Sequence, residues 1–309
     1  MISVRGWLVP FVFCLSVGHP SFSDAHDIYS AATDPAVQIT VDALSATPYA
    51  EASTRGVIYS LYLWRTPRKL TVCFIDGTSE ARAATVAAMR KWRVASLTED
   101  QLSFEFGQRI AGNECAGRQA DIRITFGGDR YWSYIGAGSI HPQTASLPSM
   151  YLGGLDKRTW TEESDRIVLH ETGHALGLHH EHQHPEAPCD NPWDEQWILA
   201  HYAWQTLNEM RKDFERLEQY YWQGQRAFTF LTYDKKSIMH YAFPREAYLT
   251  ESRSRCMTPK SFTPSSQDFR AIQSAYRPRS RFQQEKTRGA QLQILADPRY
   301  EALRSYLSR

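Results

Sequence analysis

The sequence predicts an α+β protein, and three observations support this fold class. Residues 102–106 and 122–126 alternate between apolar and polar side chains, which is typical of half-buried strands in one sheet. The apolar run 70–75 ends at the turn residues 76–78 and predicts a further strand. Beyond that turn, apolar and mostly small residues recur at helical spacing, at Ala81, Ala84, Ala88, Trp92 and Ala95. We therefore expect a helix, capped by Thr78 or Ser79, that packs closely on a sheet.

The later elements follow in chain order. Residues 139–141 and 149–152 are short and predict edge or neighbouring strands. Capping residues and first-turn acids at 161–164 predict a buried helix that begins near Glu162. Prolines then interrupt the chain before one or two helices between Trp197 and Tyr221, and Ser265 or Ser266 caps a last helix that ends near Arg277.

The composition is that of an ordinary globular protein. The 309 residues are 42% hydrophobic, 13% aromatic and 22% charged, which excludes the disordered classes. The net charge of +1 gives no reason to expect nucleic acid or an anionic membrane as a partner. We expect a monomer without stable membrane insertion.

The amino-terminal residues predict export from the cytoplasm. Residues 1–23 combine Arg5, a short apolar run and small residues at Ser21 and Ser23, which indicates a secretory signal peptide cleaved before Asp24. A membrane anchor or a buried helix is the alternative. Residues 24–55 show no sustained periodicity and are interpreted as a linker or pro-segment, and 279–309 as a basic tail. We expect a secreted protein, extracellular or periplasmic.

Four cysteines follow the predicted signal peptide, at Cys73, Cys115, Cys189 and Cys256. An even number in a chain bound for an oxidising compartment favours disulfides. Three connectivities are open; we expect Cys73–Cys115 and Cys189–Cys256, because each pair falls within one half of the chain.

One stretch, residues 170–181, carries the pattern of a metal site. His170 and His174 stand at i and i+4 on one helix face and can bind one Zn²⁺, with Glu171 beside them as a general base. Gly177 can end the helix with a left-handed turn, which brings His180 to the metal as a third ligand. This longer pattern is typical of metzincins.

The chemistry explains these residue types. A catalytic Zn²⁺ takes three protein ligands and leaves a position open for water, while a glutamate can accept a proton from that water and return it to the leaving amine. The neighbouring His179 is the alternative to His180 as the third ligand. His182 and His184 do not fit the ligand spacing and are interpreted as supporting or surface histidines.

The run His170–Glu181, together with Ser237-Ile238-Met239-His240-Tyr241, resembles the astacin family of metzincin endopeptidases. The resemblance implies a metzincin-like (zincin) catalytic domain over residues 56–278. Its upper half would hold a twisted mixed β-sheet and two long helices, and its lower half would be irregular, with a C-terminal helix. Met239 would form the floor beneath the zinc. Tyr241 would be an additional, displaceable ligand that stabilises the oxyanion.

Other parts of the chain resemble the family more loosely or depart from it. Residues 62–64, 132–136 and 268–276 resemble the domain start, the stretch before the substrate-side edge strand and the final helix. The spacing of Cys189 and Cys256 departs from the family, and residues 24–55 contain no F-x-G-D motif. The resemblance also implies that Glu181 pairs with the amine of a matured amino terminus near Arg55-Gly56.

The resemblance implies a zinc endopeptidase whose substrate, a protein or peptide, lies extended along the edge strand. A matrixin-like metzincin without a tyrosine ligand is one alternative, and Glu181 and Tyr241 argue against it. A zinc-bearing binding protein that has lost catalysis is another, and the presence of Glu171 argues against it.

Overall fold

The computed structural model of the chain describes residues 57–59, 62–107, 112–116, 119–140, 145–187, 193–201, 228–230, 232–249 and 257–278. The strands in these ranges are β1 Val57–Tyr59, β2 Arg68–Phe74, β3 Leu102–Phe106, β4 Ile122–Thr125, β5 Tyr131–Ser133, β6 Met150–Leu152 and β7 Phe228–Phe230. The α-helices are α1 Ser79–Arg90, α2 Val94–Leu97, α3 Glu162–Ala175, α4 Glu195–His201 and α5 Ser266–Tyr276. The α+β class is confirmed.

The main sheet is mixed and has the order β3-β2-β4-β6-β5. Strands β3, β2, β4 and β6 pair in parallel, whereas β5 pairs antiparallel with β6 at one edge. Parallel strands need both faces covered, and their inward residues are accordingly buried, among them Leu70, Val72, Phe74, Ile122 and Ile124. Helices α1 and α3 pack against each other, and α3 contacts β5 and β6. The core therefore lies between the sheet and the two long helices.

Ser139 and Ile140 do not form the strand predicted at 139–141, and His141 lies outside the described residues. A 3₁₀ helix spans Gly136–Ile140 instead, and Tyr131–Ser133 provides the edge strand β5. Gly136 has a φ of +47°, and a Cβ there would lie 2.0 Å from the carbonyl oxygen of Tyr62. This close approach forces a tight turn, and an alternating strand cannot form there.

A second, two-stranded sheet joins the start of the domain to its later part. Strand β1 pairs antiparallel with β7, and Ile58 also forms an isolated bridge with Leu178. The predicted helix between Trp197 and Tyr221 is observed as α4 up to His201; the rest lies outside the described residues.

Cys73 in β2 and Cys115 form a disulfide with a Cα–Cα distance of 5.3 Å. This prediction is confirmed. Cys189 and Cys256 lie outside the described residues, as do the predicted signal peptide, the linker or pro-segment and the basic tail. Within the described part of the chain, none of the helices is long and apolar enough to cross a bilayer.

Candidate metal centre and active site

Helix α3 carries the metal motif, and local chemistry sets both of its ends. At its start, the Thr161 side chain accepts a hydrogen bond from Ser164 N, and the Ser164 side chain accepts one from Thr161 N. At its end, Gly177 has a φ of +94°. Leu178 N donates to Gly173 O (3.0 Å) and Gly177 N to His174 O (2.8 Å), the two hydrogen bonds of a Schellman motif. The chain therefore reverses at Gly177, as the sequence predicts.

The reversal brings His170, His174 and His180 together. Their potential ligand atoms all lie within 4.8 Å of one another, and the Nε2 atoms of His174 and His180 are 2.9 Å apart. All three side chains are buried, at 1%, 6% and 3% exposed. Within the described residues this is the one group of three or more potential ligands found.

The second ring nitrogen of two of these histidines is held by a backbone carbonyl. Nδ1 of His170 donates to Ile238 O (2.8 Å), and Nδ1 of His174 donates to Leu178 O (2.9 Å). A proton on Nδ1 leaves the lone pair on Nε2, which is the arrangement of most metal-binding histidines. The backbone therefore fixes the orientation of both rings.

Burial also favours the protonation state that binds a metal. Burial lowers the pKa of His180 well below its usual value, and the neighbouring histidines lower it further. Metals bind the neutral imidazole, so His180 is held in its ligating form. His179 is likewise buried, and burial, with His174 beside it, lowers its pKa to about 3. Its side chain does not belong to the cluster, which favours His180 over His179 as the third ligand.

The three histidines fit Zn²⁺. Zinc binds imidazole nitrogen at about 2.0–2.1 Å, so three nitrogens on one tetrahedral ion lie about 3.3 Å apart. The observed separations bracket this value, and the donor set is the one that zinc prefers.

The other predicted site residues surround this cluster. Glu171 is 1% exposed on α3. The ring of Tyr241 lies 4.4 Å from that of His180 and 5.4 Å from that of His170, centroid to centroid. Met239 packs directly beneath α3, because a Cβ on Gly173 would lie only 2.3 Å from Met239 Sδ. The structure thus brings all of them to one place.

Glu181 is buried and interacts with the acidic residues Asp234 and Asp268. Its carboxylate accepts a hydrogen bond from Asp234 N (2.7 Å). Burial raises the pKa of Glu181 well above its usual value, and the carboxylates of Asp268 and Asp234 raise it further. Strand β1 is fixed to the same loop, since His179 N donates to Val57 O (2.8 Å).

Sequence reasoning missed the roles of two acidic residues that support the site, Asp234 and Asp268. Asp268 accepts hydrogen bonds from Ser237 and Ile238, and Asp234 accepts one from Ser265. The signal available was the Ser265-x-x-Asp268 capping pattern, which places an acid at the first turn of α5 but says nothing of its distant partners.

The histidine-bearing helix beneath a mixed sheet is the architecture of a zinc protease domain. The model of the Astacin peptidase family matches residues 74–269, which is more than half of the chain and includes the whole metal site. No curated protein matches the chain. The chain belongs to the astacin family, and it is a zinc metalloendopeptidase that acts on proteins or peptides.

Solved structures agree with this assignment. A structure of myroilysin is 26% identical, with a TM-score of 0.56, and the alignment covers 73% of this chain and 100% of that chain. A second myroilysin structure is 25% identical, with a TM-score of 0.50, and covers 71% of this chain and 86% of that one. High choriolytic enzyme 1, a hatching enzyme zinc-protease from Oryzias latipes (Medaka fish), is 17% identical over 70% of this chain and 95% of that one, with a TM-score of 0.42. The family match and the cluster of three histidines show the fold and the zinc cofactor that the motif predicts.

Proposed function

We propose that the chain is a secreted endopeptidase in which Glu171 is the general base and Tyr241 assists the reaction. The observation that carries this proposal is the position of Glu171, which is buried on α3 beside the three clustered histidines. A carboxylate at such a site has a function in proton transfer, whereas a protein that only binds zinc does not need it.

The proposed reaction is hydrolysis of a peptide bond. Zn²⁺ held by His170, His174 and His180 supplies Lewis acidity, which polarises a carbonyl and lowers the pKa of water towards neutrality. Glu171 accepts the proton from the attacking water and later donates it to the amine nitrogen as the C–N bond breaks.

Tyr241 has a second role in this proposal. Its ring lies against the rings of His170 and His180, so its phenol can reach the same centre as an additional ligand. When the phenol moves aside, it can donate a hydrogen bond to the carbonyl oxygen as that oxygen gains negative charge. The alternative of a purely packed aromatic residue predicts no effect of removing the hydroxyl on turnover.

The substrate would bind along the edge strand β5 of the main sheet. Strand β5 is the last strand in the sheet order, and its partner β6 lies on the other side. An extended peptide can add main-chain hydrogen bonds at such an edge. Helix α3, which carries two of the zinc ligands, contacts β5, and this proximity supports the proposed position of the substrate.

Maturation near Arg55 would complete the environment of Glu181. His179 N donates to Val57 O (2.8 Å), so an amine generated by cleavage just before β1 would lie near the loop that carries Glu181. A positive charge there would offset the burial of that carboxylate. Amino-terminal sequencing of the secreted protein should give Gly56, and a protein that starts at Asp24 would count against maturation.

Secretion is proposed from the predicted signal peptide and is supported by the Cys73–Cys115 disulfide. We further propose that the mature enzyme is a monomer. Fractionation of the producing cells and size-exclusion chromatography test these two points.

The mechanism is tested by casein digestion with and without a zinc chelator. Glu171→Gln should bind one zinc per chain but lose at least about 100-fold in turnover, because general-base catalysis contributes about 10²–10⁴-fold. Glu162→Gln is the matched control, an exposed first-turn acid of the same helix, and should cleave casein as the wild type does. If Glu171→Gln cleaves as fast as this control, the assignment of the base is wrong.

A further inference from the structure

Asp268 is a buried carboxylate at the first turn of α5, and it accepts three hydrogen bonds. The donors are Ser237 Oγ (2.6 Å), Ile238 N (2.9 Å) and Ser265 N (2.8 Å). Its side chain is only 6% exposed. The bond from Ser265 belongs to the capping box of the helix, but the other two come from a turn about 30 residues earlier in the chain. The carboxylate therefore fastens that turn to α5.

The fastened turn, residues 237–241, holds the first zinc ligand. The carbonyl of Ile238, the residue whose amide donates to Asp268, in turn accepts the Nδ1–H of His170 at 2.8 Å. Ser237 Oγ donates to Asp268 and also accepts from Met239 N (3.0 Å). Hydrogen bonds to a single residue, Ile238, thus connect the Asp268 carboxylate with the ring of His170.

The same segment is tied to the loop of the third ligand. Glu181, which follows His180, donates its backbone N–H to Met239 O at 3.0 Å. Its carboxylate accepts from Asp234 N (2.7 Å), and Asp234 accepts from Ser265 Oγ (2.6 Å). Residues 234–239 are therefore fastened at both ends to the start of α5 and contact both ligand-bearing segments.

We propose that Asp268 is a positioning residue of the zinc centre, which holds the turn 237–241 so that the Ile238 carbonyl orients His170 for the metal. The inference goes beyond the proposed mechanism and rests only on zinc ligation by His170. A simple capping role is the competing explanation. Loss of a cap lowers the stability of the fold and leaves the metal affinity unchanged.

Zinc affinity of the full chain, measured by competition with a chromophoric chelator, separates the two explanations. Asp268→Ala should raise the zinc Kd by about 10–100-fold, the usual effect of removing a group that orients a metal ligand. Asp268→Asn should recover most of this loss, because its amide oxygen can still accept from Ile238 N and its NH₂ can donate to Ser237 Oγ. The visible spectrum of the Co²⁺-substituted protein should change in Asp268→Ala and stay close to that of the wild type in Asp268→Asn.

Asp76→Ala is the matched control. Asp76 also accepts one backbone amide, from Phe126 (2.5 Å), and one hydroxyl, from Thr125 (2.6 Å), but these partners belong to the central strand β4 and the residue after it, not to the turn 237–241. This variant should lose stability and keep the zinc Kd of the wild type within about twofold. If Asp268 has only a structural role, Asp268→Ala will give the same result as this control.

The remaining outcomes are also decisive. If Asp268→Ala does not fold, Ser237→Ala takes its place and should weaken zinc binding at least several-fold; an unchanged Kd in Ser237→Ala overturns the proposal. His170→Ala must weaken zinc binding strongly. If His170→Ala binds zinc normally, the assignment of His170 as a ligand is wrong, and so is the role proposed for Asp268. If His170→Ala binds zinc weakly but Asp268→Ala binds it like the wild type, only the role proposed for Asp268 is wrong.

Discussion

Gly177 offers the sharpest test of how the fold builds the metal centre. Its φ of +94° is one that L residues rarely adopt, and it sets the direction of the chain that carries His180. A Cβ at this position would lie 2.8 Å from Cδ2 of Leu63 and 3.4 Å from the hydroxyl of Tyr276. Gly177→Ala thus introduces backbone strain and a steric contact together.

The magnitude follows from these two contributions. A left-handed conformation costs an L residue about 1–2 kcal/mol. Added volume in a packed interior costs about 1–3 kcal/mol, with the lower end favoured because the tip of Leu63 can move. We therefore expect Gly177→Ala to lower the free energy of unfolding by about 2–4 kcal/mol and to weaken zinc binding, since a shifted turn displaces His180.

The assay is urea denaturation of the wild type, Gly177→Ala and Gly112→Ala, with the zinc Kd of each. Gly112 is a close control, because its φ is +95° and a Cβ there would meet nothing within 4 Å. Gly112→Ala should show the backbone contribution alone and normal zinc affinity. Equal losses of stability in the two variants, with equal zinc affinity, would refute the coupling of Gly177 to the metal site.

Three further predictions concern other parts of the structure. Replacing Cys73 and Cys115 by alanine should lower the free energy of unfolding by up to about 4 kcal/mol, because their disulfide closes a loop with a sequence separation of 42. An unchanged midpoint of chemical denaturation would contradict this prediction. Burial raises the pKa of Asp268 from 3.8 to about 6, so its contribution to stability is fully present below pH 4 and is lost as the pH rises to 6. Urea denaturation of the metal-free proteins tests this against Asp268→Asn, whose side chain does not titrate. The free energy of unfolding of the wild type should fall by about 3 kcal/mol relative to that of Asp268→Asn over this pH range. A difference between the two proteins that does not change with pH would disprove the raised pKa of Asp268. Gly173→Ala should lower the melting temperature, although alanine favours helices, because its Cβ would overlap Met239 Sδ. Met239→Ala in the same chain should restore part of the loss. A Gly173→Ala variant as stable as the wild type would mean that the Met239 side chain can move aside at no cost.

Features set by local chemistry could be predicted from the sequence. The start of α3 at Thr161 and the start of α5 at Ser265 follow from capping residues whose partners lie within one turn. The spacing of His170 and His174 fixes their common face on any helix. The turn at Gly177 was predictable for the same reason, since only glycine adopts that φ without penalty.

Features that depend on distant partners could not be predicted in this way. The strand predicted at 139–141 is not formed by Ser139 and Ile140, which belong to a 3₁₀ helix. The reason is the close contact of Gly136 with Tyr62, a residue far away in the chain. Strands β1 and β7 are three residues each and pair across most of the domain, so neither has a local signal. The roles of Asp234 and Asp268 likewise arise from contacts with turns that periodicity and capping do not reveal.

The support of His170 by Ile238 also bears on the order in which the enzyme is made. All three histidines are synthesised before residue 181, but the carbonyl that orients the first of them and the carboxylate that holds that carbonyl come about 60 and 90 residues later. A nascent chain, or a fragment cut before Asp268, carries the complete ligand set without the groups that align it. If Asp268 positions the zinc centre as proposed, alignment of the ligands requires that almost the whole domain has been synthesised.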